Sequence, residues 1–207
     1  MSIFSFFCAP ATKEEEFWKW FQTNEARLFD FEKDQARIFS ELTKELNKID
    51  PNLTFEFGPD NNGKRDFVIS ADGIKSAFPA VISLADKAPN LPRWTIIKFR
   101  PRREMGNEMT MTRDGVPVRV DQITFTIEPD GDKAAITLYI DGYDSARHNT
   151  FGTIGFLLLD TALGEYNIET KVGAIDFKPA SAPSKLPKTP FKDLPEIFDR
   201  FMAAKTN

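Results

Sequence analysis

One cysteine and one histidine are all that these 207 residues offer to metal or nucleophile chemistry. The lone Cys8 cannot close an intramolecular disulfide, and with His148 it cannot complete an ordinary zinc site. Only an all-oxygen Mg²⁺ or Ca²⁺ site is left open, and no EF-hand spacing surrounds the turn aspartates Asp60 and Asp130. There is no Walker A loop and no G-x-G-x-x-G fingerprint, which removes the usual nucleotide cradles. No apolar run approaches the length of a membrane span. The apolar start, residues 1–8, lacks a basic n-region and soon meets Glu14, Glu15 and Glu16, so the expectation is no signal peptide and a cytoplasmic setting. Neither sign of charge dominates: 27 basic against 31 acidic residues leave −4, no footprint for bulk nucleic acid or an anionic membrane. No cofactor and no metal are expected. A local patch can still hold an anion.

Phenylalanine, by contrast, is abundant. Twenty Phe within a 41% hydrophobic chain supply the core of one compact domain, expected over 1–207. Two stretches, 53–101 and 123–179, share one order of signals: apolar strand, Pro-Asp, apolar strand ending in Asp-Gly, helix, apolar strand ending in Pro. Aligned on those turns, Leu53, Phe55 and Phe57 fall on Ile123, Phe125 and Ile127, while Phe67, Ile69 and Ala71 fall on Ile136, Leu138 and Ile140. Ile97 and Phe99 fall on Ile175 and Phe177. Alternation is unforgiving of a one-residue slip, so matched parity in three strands favours a duplicated ββαβ half. Common turn signals meeting by accident are the alternative.

Thr12 and Glu15 form a capping box opening a helix with Phe17, Trp18 and Phe21. Leu28, Phe31, Ile38, Leu42, Leu46 and Ile49 follow helical spacing up to Pro51, with Gln35 the one polar position on the stripe. A helix carrying Phe78, Val81 and Ile82 starts near Ser76, because Pro79 suits only a first turn. Residues 102–121 cross between the halves, with a short strand around 116–120. A helix over 149–163 closes on Gly164 and uses Gly152 and Gly155 for close packing. Residues 179–190, with four prolines, read as an extended strap. The last helix, bearing Leu194, Ile197, Phe198 and Phe201, docks on its own domain or serves as an exchangeable arm in a homodimer. The whole is α+β: a mostly antiparallel sheet of about six strands, helices on one face, two similar ββαβ halves, and N- and C-terminal helices. The second sheet face, carrying Trp94, Lys98, Arg100 and Tyr139 by parity, is mixed polar and expected to be partly wet.

His148 in a polar segment lacks a recognisable nucleophile elbow and reads as an exposed loop residue. Asp160 and Glu165 flank a helix end, where a solvated face explains them as well as acid–base work does. The strongest anomaly is Lys98-Phe99-Arg100-Pro101-Arg102-Arg103, preceded by Arg93 and Trp94. Guanidinium forks suit phosphate or carboxylate, whereas a charged edge strand avoiding aggregation is the plainer account.

Phe17-Trp18-Lys19-Trp20-Phe21, Ile69-Ser70-Ala71-Asp72-Gly73, Phe99-Arg100-Pro101-Arg102 and Leu157-Leu158-Leu159-Asp160-Thr161-Ala162-Leu163-Gly164-Glu165 resemble phrases of an uncharacterised family of bacterial cytosolic proteins. The resemblance spans most of the chain, implies a bacterial cytosolic source, and carries no activity and no site residue.

The leading expectation is a non-catalytic binding or regulatory protein that contacts an acidic peptide or protein partner. Arg93, Lys98, Arg100, Arg102 and Arg103 supply charge, and Trp94 and Tyr139 serve as flat anchors. The alternative is a hydrolase or transferase acting on a small anionic substrate between the halves, with Arg100 and Arg102 orienting it and Glu165 or Asp160 as base. A single-stranded nucleic-acid platform is disfavoured by net acidity and few outward aromatics.

Overall fold

Thr12 begins the first element as its sequence dictates: its hydroxyl accepts the Glu15 N–H, and the Glu15 carboxylate accepts the Thr12 N–H at 2.8 Å. The structure, a computed structural model, describes residues 10–205; Cys8 and the apolar start lie outside them. The chain divides into two compact units, Met1–Phe99 and Arg100–Asn207, each with its own sheet and core.

In the first unit, helix α1 (Lys13–Thr23) buries Phe17, Trp18 and Phe21. The single long helix expected next is instead α2 (Glu25–Phe29), a 3₁₀ turn at Phe31–Lys33, and α3 (Gln35–Asn47). Asp34, at φ −156° and ψ 57°, breaks the helical path, and Gln35, the polar exception on the apolar stripe, is where α3 starts. The break lets Phe31 turn onto Phe39 and Phe57, with ring centroids 5.1 and 5.4 Å away. Strands β1 (Thr54–Phe57), β2 (Arg65–Ser70) and β3 (Trp94–Lys98) form one sheet in that order. β1 and β2 are an antiparallel hairpin with Phe55 opposite Ile69, and β3 returns parallel to β2 after helix α4 (Phe78–Asp86). Pro79 sits in the first turn of α4, where its missing N–H costs nothing.

The parity expected for β3 is reversed. Trp94 and Ile96 face the core, with Trp94 against Phe21, Phe29, Phe57 and Phe67, whereas Ile97 does not pack there. Phe99 nevertheless returns to the core, its ring 4.5 Å from Phe78, because a left-handed φ of 65° turns the chain over after Lys98. The second face of β2 is wet only at one end: Val68 and Ser70 are buried, and Asp66 is exposed.

The second unit begins with a hairpin that the polar segment 102–121 hid. Strands β4 (Thr110–Arg113) and β5 (Val116–Arg119) pair antiparallel about Asp114-Gly115, both at positive φ as a tight hairpin turn requires. A four-stranded sheet, order β8-β7-β6-β9, follows from β6 (Ile123–Asp130), β7 (Lys133–Ile140), β8 (Val172–Pro179) and β9 (Thr189–Pro190). Its hairpin turns at Gly131-Asp132, two residues beyond the expected Pro129-Asp130, which both belong to β6. β6 and β7 are antiparallel with Phe125 opposite Leu138, and β8 is parallel to β7 with Ile175 opposite Ile136. The crossover is α5 (His148–Leu163) followed directly by an unexpected α6 (Glu165–Lys171), and α7 (Leu194–Lys205) closes the chain over Leu194 and Phe198.

Among the described residues, the expected single sheet of about six strands is therefore replaced by sheets of three, two and four strands. The chain leaves β3 through left-handed Phe99 and Pro101, which has no N–H to continue a ladder.

Candidate functional site

The basic phrase 98–103 is split by the unit boundary between Phe99 and Arg100. On the first side, the guanidinium of Arg93 lies over the Phe29 ring, 3.5 Å from its centroid. Beside it, buried Arg65 stacks near Phe29 and Phe31 and donates to the Gly58 carbonyl and to Glu32. Trp94, expected as an exposed anchor, is 5% exposed and belongs to the core. Lys98 follows the parity of Trp94, not that of an open face, and its ammonium meets Asp86 at the end of α4 at 2.6 Å.

On the second side, Gly164 decides the geometry. At φ 78° it links α5 to α6, and a β-carbon there would stand 3.1 Å from both the Arg100 carbonyl oxygen and the Arg102 nitrogen. Glycine thus lets residues 100–102 lie against the end of α5. The two segments are stapled: Arg100 N–H donates to the Glu165 carboxylate at 3.0 Å, and Glu165 N–H donates to the Arg100 carbonyl at 3.0 Å. Arg100 Nε also donates to Asp160 at 3.0 Å. Asp160 and Glu165, the candidate bases of the enzymatic alternative, thus both hold Arg100, and Glu165 is buried.

Arg102 grips Asp199 of α7 with both terminal nitrogens at 2.7 Å and gives Nε to the Leu163 carbonyl. The forked contact raises the guanidinium pKa and lowers that of the Asp199 carboxyl. Arg103 N–H donates to the Thr161 carbonyl at 2.9 Å, and its side chain is exposed.

Arg102, Arg103 and Lys192 surround a hollow of about 430 Å³ whose apolar lining is Met105, Ala162 and Pro195, with Glu104 at its rim. Lys192 is exposed, and its side chain forms no ion pair or hydrogen bond among the described residues. It also borders a second hollow of about 220 Å³, lined by Asn107, Val120, Ile123, Pro190 and Phe191. Asp121 lies there too, already held by Arg119 through two contacts at 3.0 and 2.6 Å. This arrangement can hold carboxylates or phosphates over a partly apolar floor. Sequence reasoning missed Lys192 and Asp199, since nothing local links residues near 192–199 to 102–105.

Tyr139 is a correction. It is 3% exposed, and the neighbouring Ser184 and Thr126 hydroxyls hold its own hydroxyl below the usual phenol range. Lys188 lies over its ring at 4.1 Å and donates to the carbonyls of Ala180 and Ala182. Tyr139 thus anchors the strap across part of this face of the sheet, while Asp176 on the same face stays exposed. His148 is exposed, and its Nδ1 shares a 2.6 Å hydrogen bond with the Tyr143 hydroxyl.

Among the described residues no three acidic, His or Cys side chains cluster as a metal site, and no helix is long and apolar enough to cross a membrane. Comparison with protein-family models, curated proteins and solved structures found no match.

Proposed function

We propose that this chain is a non-catalytic binding protein that takes an acidic segment of a partner protein in the hollow beside Arg102, Arg103 and Lys192. The observation that carries the reading is Lys192: a cation without an acceptor among the described residues, beside two arginines in a chain of net charge −4. Local positive charge on an acidic protein selects acidic partners and speeds their encounter. Arg102 already displays a two-pronged grip on a carboxylate through Asp199, so the geometry for such recognition is built in. Arg93, stacked on Phe29, is the equivalent cation in the first unit.

The same reading takes the two units as descendants of one duplicated ββαβ element working in a bacterial cytoplasm, with the resemblance to an uncharacterised bacterial family in support. Phe55 opposite Ile69 and Phe125 opposite Leu138 are the matching pairs that favour it. The third strands stand one residue apart, Phe67 opposite Ile96 against Ile136 opposite Ile175. Left-handed Phe99 accounts for the offset by restoring its ring to the core.

A fluorescent hexaglutamate peptide tests the binding reading. It should bind the whole protein with an affinity that falls steeply with salt, and Lys192→Glu with Arg103→Glu should remove binding while Lys44→Glu leaves it intact. Equal binding by the double variant and the wild type overturns the reading.

A further inference from the structure

The second hollow gives the first a neighbour of different chemistry. Its walls include Val120, Ile123 and Phe191, all buried core residues, with Pro190 exposed at the lip. Lys192 lines both hollows, so a chain lying past its ammonium meets charge on one side and an apolar slot on the other. Pro190, in the outermost strand of its sheet, offers no N–H, so a visiting strand gains little main-chain pairing at that position. Recognition there falls to side chains.

Resting on the acidic-partner reading, we infer that the bound segment is an extended peptide in which a large apolar residue adjoins the acidic stretch. Its carboxylates face Lys192 and Arg103, and its apolar side chain enters the slot beside Asn107. Asp121 is neutralised by Arg119, so the slot does not repel the neighbouring acids as strongly as a free carboxylate would.

The test uses the full chain and four peptides: three glutamates followed or preceded by leucine, and the same two with serine for leucine. One leucine peptide should bind roughly tenfold tighter than its serine counterpart, as burial of one such side chain predicts. Lys192→Glu should weaken both members of that pair. Asn107→Trp, at an exposed rim position, should fill the slot and erase the leucine advantage while leaving the serine peptide's affinity unchanged. If leucine and serine peptides bind wild type equally while hexaglutamate still binds, the apolar slot is wrong and the acidic-partner reading stands. If no acidic peptide binds at all, both fall. The wild-type peptide series decides the matter even if Asn107→Trp misfolds.

Discussion

The ring of Phe177 occupies the space into which a β-carbon on Gly155 would project. Strand β8 can press its aromatic side chain onto helix α5 only because that helix has no side chain there. Gly152, one turn earlier, is different: a β-carbon there would meet the same ring at an ordinary 3.7 Å.

Two glycines of one helix should therefore respond oppositely to alanine. Gly155→Ala must displace a buried ring and should destabilise by about 1–3 kcal/mol despite the better helix propensity. Gly152→Ala should be neutral or stabilising by up to about 1 kcal/mol. Amide hydrogen exchange in β7 and β8 is the readout, and equal protection in both variants would contradict this packing.

Acid should loosen the first unit through Glu14. Its carboxylate accepts the Ser83 hydroxyl at 2.6 Å and the Lys87 ammonium at 3.0 Å, which lowers its pKa from 4.5 to about 2. A carboxyl depressed in the folded state stabilises above its unfolded pKa, and that contribution drains away as pH falls from 4.5 towards about 2. Glu14→Gln should be less stable than wild type at neutral pH, and the gap should close through that window. All three tryptophans, Trp18, Trp20 and Trp94, lie in this unit, so urea titrations followed by tryptophan fluorescence report it selectively.

Tyr139→Phe keeps the ring and removes the hydroxyl that the Ser184 and Thr126 hydroxyls influence. The cost should be near 1 kcal/mol, concentrated in the strap. Trypsin should cut at Lys185 or Lys188 faster than in wild type, with other sites unchanged; an unaltered digestion pattern would show that the strap is held without this hydroxyl.

Asp199→Asn leaves the fork of Arg102 without its carboxylate. This exposed pair contributes little to folding, so stability should fall by less than about 1 kcal/mol. Hexaglutamate, gaining access to the fork, should bind about two- to fivefold tighter. Weaker binding would mean that Asp199 orients Arg102 for a ligand instead of competing with it.

Periodicity and turn chemistry exposed much of the fold. The capping box at Thr12, the hairpin pairing Phe55 with Ile69, the helix running up to Gly164 and the strap after β8 all follow from local signals. Asp114-Gly115 is an equally local turn signal, set inside a polar segment. The β3 parity was not legible, because alternation assumes unbroken strand geometry and Phe99 abandons it. Trp94 and Tyr139 illustrate the same limit: parity assigns a side of the sheet, whereas burial depends on what later chain covers that side.

By itself the sequence determined the α+β class, the position of most elements and the basic phrase 98–103, since these rest on spacing within a few residues. Tertiary structure alone decided that the strands form three sheets, that Arg102 meets Asp199, and that Lys192 joins the arginines. Those outcomes depend on long-range packing and charge pairing between segments nearly a hundred residues apart, for which local periodicity carries no information.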